Sequence, residues 1–413
     1  MSGFLEDFRI MSAFGATAGG GVDRQAATIA DGETRVWFQG WLEAHGFTVE
    51  VDRIGNIFGL RELVPGAPWI LAGSHLDSQP LAGRFDGAYG VLAAAHAAHS
   101  VSTAVAAGEL VPRYNIAVVD WFNEEGSRFK PSMMGSAVYT GLLPLDEALG
   151  VTDPTGTSVA DALDEIGGRG GFGGIPVAAY AEIHVEQGRA LEDAGAVIGP
   201  VADTWTARKI ELCVRGEQAH TGAAQMRDRR DALYGAARVI VAVRDLIDSF
   251  APEQLHTAVS ELHLEPNSPV AIAREVRLLA DVRAPDRGIL EDAVARLQGE
   301  LEVIAESARV DIEIERVVEW SSGPFDENGL ALIEEIAAAH GHATLRVPTV
   351  AGHDATNMKE RVPTLLMFVP SVEGLSHNER EFTSDAHLIA GLEVLSGVMG
   401  RLVAGESSLV EAL

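Results

Sequence analysis

Thirteen histidines and 60 acidic residues are spread through this 413-residue chain, and of four short segments three bring the two types together while the fourth sets two carboxylates side by side. In GSHLDSQPLAGRFDG, His75 and Asp77 stand two apart at the expected end of a strand, so both point the same way. Asp86 follows in a glycine-flanked loop. A histidine with a carboxylate two positions on suits a metal ligand whose orientation an acid fixes; the alternative is a loop merely rich in turn residues. In WFNEEGSRF, Glu124 and Glu125 come straight after an apolar run and are followed at once by Gly126. Adjacent carboxylates usually mark solvated surface, but an exposed pair is a poor ending for a buried strand. Like charges this close raise one pKa unless a cation is present, and one ligating carboxylate beside a free one supplies a metal ligand and a general base together. AEIHVEQG puts His184 and Glu186 on one strand face, and GLSHNEREFT carries His377 just before the final helix. Three imidazoles and two carboxylates, His75, Asp86, Glu125, His184 and His377, suit two zinc or manganese ions bridged by one carboxylate. They suit calcium or a thiolate-seeking metal poorly.

The elements that must position these residues alternate between helix and strand. A helix through TRVWFQGWLEAHG, strands at FTVEVD, WILAGS and NIAVVDWF, and an Ala-rich helix between the last two predict an α/β layer architecture. WILAGS and NIAVVDWF are short and apolar and run into polar clusters, which makes them central strands with functional loops at their carboxyl ends. From about Thr206 to Trp320 the pattern becomes strand, helix, strand, strand, helix, strand, the order of a ferredoxin-like α+β unit. The α/β texture resumes with LLMFVPS and HLIAGLEVLSGVMGRLV. The expected organisation is therefore a discontinuous α/β domain, 1–205 with 322–413, interrupted by an inserted domain over 206–321.

Composition removes several function classes. Lys and Arg number 31 against 60 Asp and Glu, a net charge of −29, whereas phosphate binding needs clustered cations. Nucleic acid and anionic membrane surfaces are accordingly not expected partners. The single cysteine, Cys213, excludes an intrachain disulfide and any thiolate-rich metal site; in KIELCVRG it reads as a buried packing thiol. The N-terminal MSGFLEDFRI has acids where a signal peptide carries a basic segment, so a cytoplasmic location is expected. The apolar stretch from Gly87 to Gly108 is mostly alanine, interrupted by His96, His99 and hydroxyl residues, and reads as a packed helix. Gly168, Gly170 and Gly173 match the spacing of a dinucleotide loop but follow a helix and precede a strand, the reverse of what that site needs. No Walker A, HExxH or GxSxG pattern occurs.

The segments AGGGVDR, DRIGNIFG, GSHLDSQPLAGRFDGAYGV, NEEGSRF, HVEQG, GEQAHTGAAQMRDRRDAL, AGHDA and GLSHNEREFT occur in one order over nearly the whole chain. In them the sequence resembles the M20 metallopeptidase superfamily, and within it the amidohydrolase branch of allantoate amidohydrolase, N-carbamoyl-L-amino acid hydrolase and yeast-type β-ureidopropionase. The resemblance implies two divalent ions per subunit, Zn2+ or Mn2+, with Co2+ or Ni2+ able to substitute in vitro. It implies that Asp86 bridges them, that His75 and His184 complete one position, and that Glu125 and His377 complete the other. Asp77 is implied as the partner of His75 and Glu124 as the general base. The insert is implied to be a lid, joined near Trp205 and Ser321, through which a homodimer forms. His220 matches a lid histidine that polarises the scissile carbonyl, although alone it would read as a turn residue. Arg283 of DVRAP matches an arginine that pairs with the substrate carboxylate, for which a guanidinium is suited. Gln187 and His353 match further substrate-contacting positions.

Two departures concern substrate and not metal. Where that branch carries an Asn-Val-Ile-Pro-Gly-like segment, this chain has Val270, Ala271, Ile272, Ala273 and Arg274, so Val270 replaces an asparagine that orients substrate. Ser-Gly-Ala-Gly-His-Asp becomes Thr349, Val350, Ala351, Gly352, His353, Asp354. The implied activity is metal-dependent hydrolysis of a linear, non-peptide C–N amide bond in a small carboxylate-bearing substrate, an N-carbamoyl amino acid or an allantoate-like molecule. Val270 keeps open an N-acyl or N-formyl amino acid as substrate. The reading from a different class is a non-catalytic dimeric binding protein on the same fold.

Overall fold

The computed structural model describes residues 3–320 and 323–410, so Ser321, at the expected second junction, lies outside the described residues. The chain divides into two compact units, Met1–Ala202 with Phe325–Leu413, and Asp203–Pro324. Both boundaries lie a few residues outside the insert read from sequence. In chain order the strands are β1 (Thr48–Val51), β2 (Ile57–Arg61), β3 (Trp69–Ser74), β4 (Asn115–Asp120), β5 (Val177–Val185), β6 (Gly199–Thr204), β7 (Thr206–Arg215), β8 (His256–Glu265), β9 (Glu275–Ala284), β10 (Asp311–Trp320), β11 (Gly323–Pro324), β12 (Val347–Thr349) and β13 (Thr364–Val369).

The first unit is built on a mixed sheet in the order β1-β2-β4-β3-β5-β13-β6. Its centre is parallel: β3 pairs with β4 and β5, and β5 with β13. Parallel strands buried on both faces need continuous apolar sequence, and β4 and β13 are buried at every position. On one face lie the helices Ala88–Ala106 and Asp385–Val403, both with long buried faces. Small residues allow their close approach: a Cβ on Gly391 would collide with the Tyr89 hydroxyl, which donates to Leu388 O at 3.0 Å. Asp385–Val403 is long and apolar enough to cross a membrane by composition, but most of it is buried in this core. A second cluster around Phe58, Trp121, Tyr180 and Phe368 fills the opposite face.

The second unit is a four-stranded antiparallel sheet in the order β10-β7-β9-β8, with the helices Ala232–Asp245 and Arg287–Ala308 packed on it. Asp286 caps the second helix by accepting from Ile289 N at 3.0 Å, a contact typically worth about 1 kcal/mol. Cys213 is buried in β7, and burial pushes its thiol up to about 11. Where the insert leaves and rejoins, Asp203 pairs with Pro324 and Thr204 with Gly323.

Candidate functional site

The four parallel strands of the first unit end on the same side of the sheet, where ligands collect in open α/β sheets. His75 follows the last residue of β3, Glu124 and Glu125 lie in the turn after β4, His184 is the penultimate residue of β5, and His377 lies in the loop after β13. Asp86 precedes the helix Ala88–Ala106, and Gly87 between them takes φ +61. Gly87 passes so close to the His75 imidazole that a Cβ would collide with it, so glycine is required there for space as well as conformation.

Asp86 stands at the centre. Its Oδ1 lies 2.9 Å from His184 Nε2 and 3.5 Å from His75 Nε2, while its Oδ2 lies 3.4 Å from His377 Nε2. Glu125 Oε2 is 3.3 Å from the same His377 nitrogen. One carboxylate thus turns an oxygen to each of two groups, His75–Asp86–His184 and Asp86–Glu125–His377, whose ligand atoms converge closely enough for one cation each. The first group is buried and His377 is half exposed.

The donor set fits a divalent metal on its hydrogen bonding. His184 Nδ1 is 2.8 Å from Val185 O and His75 Nδ1 is 3.0 Å from Asp77 O, so each ring gives its Nδ1 proton to a carbonyl. In the neutral tautomer this leaves both Nε2 atoms as acceptors beside Asp86 Oδ1, that of His184 also accepting from Gly87 N at 3.0 Å. Acceptors that converge in a dry site must share a cation or a proton. Burial lowers the His75 pKa, but Glu124, Asp86 and Asp77 outweigh it and hold the ring well above its ordinary value. A divalent ion supplies the same positive charge.

Glu124 also faces this centre, its Oε2 3.5 Å from His75 Nε2. Burial, reinforced by Asp354, Glu125 and Asp86 and opposed by His75, holds its carboxyl well above the usual range. Asp77 ties the two loops together by accepting from Glu124 N at 3.1 Å and Glu125 N at 3.3 Å. His75 and Asp77 lie beyond β3, and strand alternation does not orient them. The ring nitrogen of His75 is nearer the Asp77 carbonyl than its carboxylate, which stands at 3.7 Å, beyond hydrogen-bond reach.

Gln187, at φ +58, donates to Asp86 Oδ2 at 2.6 Å. Ser376 Oγ lies 2.8 Å from the same oxygen and 2.8 Å from Glu381 Oε1, its one proton serving either carboxylate. Glu381 in turn accepts from Phe85 N and Asp86 N at 3.0 and 3.2 Å, which joins the Asp86 loop to the His377 loop. Buried His353 places its ring 4.5 Å from that of His184, tilted by 57°. β5 ends at Val185, and Glu186 instead accepts from Ala190 N and Leu191 N at 2.7 and 3.0 Å. The acid sharing a strand face with His184 is Glu182, which accepts from Ser74, Tyr180 and Ala355 N. Glu182, Glu381 and Asp354, whose Oδ1 accepts from Ser136, were not singled out from sequence. The i, i+2 spacing to His184 was the one available signal for Glu182.

His220, Val270 and Arg283 belong to the second unit. His220 bridges to Ala271, and Thr221 N donates to Val270 O at 3.2 Å, so His220 and the exposed Val270 sit on adjoining segments. His220 Nδ1 accepts from Gly222 N and Ala223 N at 3.0 and 3.2 Å, which leaves Nε2 as the protonated nitrogen. Arg283, on β9, meets Asp281 through two bonds at 3.0 and 2.7 Å.

The model of "Peptidase family M20/M25/M40" matches residues 71–401. A protein named as a hydrolase from Mycolicibacterium smegmatis is 51% identical over 97% of this chain and 93% of its own length. An N-carbamoyl-L-amino-acid amidohydrolase of Rhizobium meliloti is 34% identical over 93% and 92%, and an allantoate amidohydrolase of Bacillus subtilis 30% identical over 95% of each. Among solved structures, an amidase of the hydantoinase/carbamoylase family from Burkholderia vietnamiensis superposes with a TM-score of 0.92, at 35% identity over 97% of both chains.

Proposed function

The chain belongs to the peptidase family M20/M25/M40, and from that premise we propose that it hydrolyses a linear, non-peptide C–N amide bond in an N-carbamoyl amino acid or an allantoate-like substrate. The observation that carries the reading is Asp86, which presents one oxygen to His75 and His184 and the other to Glu125 and His377. These five residues would hold two divalent ions, zinc or manganese. Such ions, when bound, lower the pKa of a shared water and polarise the carbonyl oxygen.

The chain's own residues supply the rest. Glu124 accepts the proton of the attacking water and passes it to the leaving nitrogen, roles helped by a carboxylate held above its ordinary pKa. Its burial among other acids supports this assignment. His220, whose Nε2 carries the proton, is the donor for the tetrahedral oxyanion, an interaction worth about 3–4 kcal/mol when well placed. Arg283 takes the substrate carboxylate in exchange for Asp281, which now occupies the same fork. Gln187 and His353 contact substrate beside the ions. The second unit acts as lid and as the dimer-forming segment, since its sheet ends on β10 and β8 and strand edges left open are pairing surfaces. The cytoplasm is the proposed location.

The test is a substrate panel on enzyme reconstituted with zinc or manganese: N-carbamoyl amino acids, ureidopropionate, allantoate, and N-acyl and N-formyl amino acids. Ammonia release from the first three classes supports the proposal. Release of a carboxylic acid alone replaces it with the acyl reading that Val270 keeps open, and no metal-dependent turnover on any of them overturns both.

A further inference from the structure

Beneath the His75 loop lies a buried ionic layer that the proposed chemistry does not use. Leu76, between His75 and Asp77, is fully buried, and its peptide groups are held from both sides. Its N–H donates to Asp120 Oδ1 at 2.9 Å, and its carbonyl accepts from Arg24 Nε at 2.8 Å. Arg24 also donates through Nη1 to Met11 O at 3.2 Å and through its backbone N–H to Ser78 Oγ at 3.0 Å. Ser78 N returns a bond to Arg24 O at 3.2 Å, so the Arg24 segment brackets the His75 to Ser78 loop at two points.

Arg24 is 1% exposed, and among the described residues no carboxylate lies within ion-pair distance of its guanidinium. Asp120, which ends β4, is instead paired with Arg35 at 2.9 Å, both side chains being almost wholly buried. Arg35 reaches on to Gly55 O. A buried guanidinium bonded to carbonyls is an expensive means of joining segments that apolar contacts could join. What it supplies is direction: a planar fork fixes the carbonyls it meets, which a compact ammonium or an apolar side chain does not.

We infer that Arg24 and Asp120 form a clamp across the Leu76 peptide and act as positioning residues, fixing the direction in which His75 presents Nε2 and Asp77 meets the Glu124–Glu125 turn. The inference rests on the proposed role of His75 as a metal ligand. It assigns a purpose to AGGGVDR, whose arginine touches no reacting atom.

Arg24→Met and Arg24→Lys test it in the full-length protein, with Zn2+ and Co2+ as probes. Partners that orient a ligand typically set metal affinity by about 10–100-fold. Arg24→Met is expected to fall in that range for the tighter Zn2+ site while remaining folded by circular dichroism. Arg24→Lys, which keeps the charge and a donor nitrogen but not the planar fork, is expected to lose less. The visible Co2+ spectrum is expected to shift in both variants, and saturating metal to restore kcat with KM unchanged. Affinity and Co2+ spectrum equal to wild type in a folded Arg24→Met would overturn the clamp, as would failure of both variants to fold, which makes Arg24 a residue of the fold alone. If wild type binds neither probe, it is the metal reading itself that fails.

Discussion

The side-chain amide of Gln187 lies 2.6 Å from Asp86 Oδ2, the oxygen that faces Glu125 and His377. A residue expected from sequence to meet substrate therefore rests on the carboxylate at the centre of the site. Its Oε1 is buried and has no partner among the described residues, which leaves an acceptor for an incoming amide N–H. Gln187→Ala is expected to raise KM about tenfold, the equivalent of one hydrogen bond of roughly 1.4 kcal/mol, with metal content unchanged. Steady-state kinetics with metal analysis decides; loss of bound metal would move Gln187 from substrate to metal scaffold.

Glu124→Gln keeps size and removes the proton acceptor. Turnover is expected to drop by about 10²–10⁴-fold, with both ions retained, because neither group of converging ligand atoms includes Glu124. Near-normal kcat in the variant would rule out Glu124 as the base.

The two groups share only Asp86, so their ligands are separable by stoichiometry. Two equivalents of zinc are expected in the wild-type protein after dialysis. His184→Ala and His377→Ala should each retain about one equivalent and Asp86→Ala none. The same zinc content in all four proteins would dismiss the shared-carboxylate arrangement.

Stability should depend on pH through His96, on the helix Ala88–Ala106. Its ring lies 4.7 Å from Trp41 and donates toward Asp7 at 3.0 Å. Burial lowers its pKa to about 4 from the ordinary 6.5, with Asp7 opposing. The folded protein thus favours the neutral ring and the unfolded chain binds the extra proton. This contribution is complete above about pH 6.5, is lost as pH falls toward 4, and is flat below; its ceiling is about 3 kcal/mol. Denaturation of wild type and His96→Gln at pH 7 and 5 checks it, the variant being expected to show the smaller difference. Equal differences would remove His96 as the source.

His75, Asp86, Glu124, Glu125, His184 and His377 were legible in the sequence because each follows or precedes a strongly apolar element, and parallel strands gather such ends. WILAGS and NIAVVDWF are neighbours at the sheet centre for the same reason. Less legible was whatever depends on contacts between distant segments. Glu381 holds the Asp86 loop from 295 positions away, and Arg24 reaches Leu76 across 52; neither separation leaves a local pattern. β2, only Ile57–Arg61 after the Gly55 turn, was overlooked. Pairing His184 with Glu186 extends strand alternation one residue past the end of β5.

The strand order of the first unit also governs how the molecule can be made. β13 lies between β5 and β6, yet it is the last strand to leave the ribosome, after the entire inserted unit. Until then β5, largely apolar but carrying Glu182 and His184, has no neighbour on that side. The inserted unit, whose four strands are consecutive in sequence, is complete much earlier. Synthesis thus yields a finished insert beside a half-built sheet, and an unpaired apolar edge is the part of a nascent chain most prone to mispairing. Any truncation before Thr364 would prolong that exposure indefinitely, so the burden of such a lesion falls on solubility before it falls on catalysis.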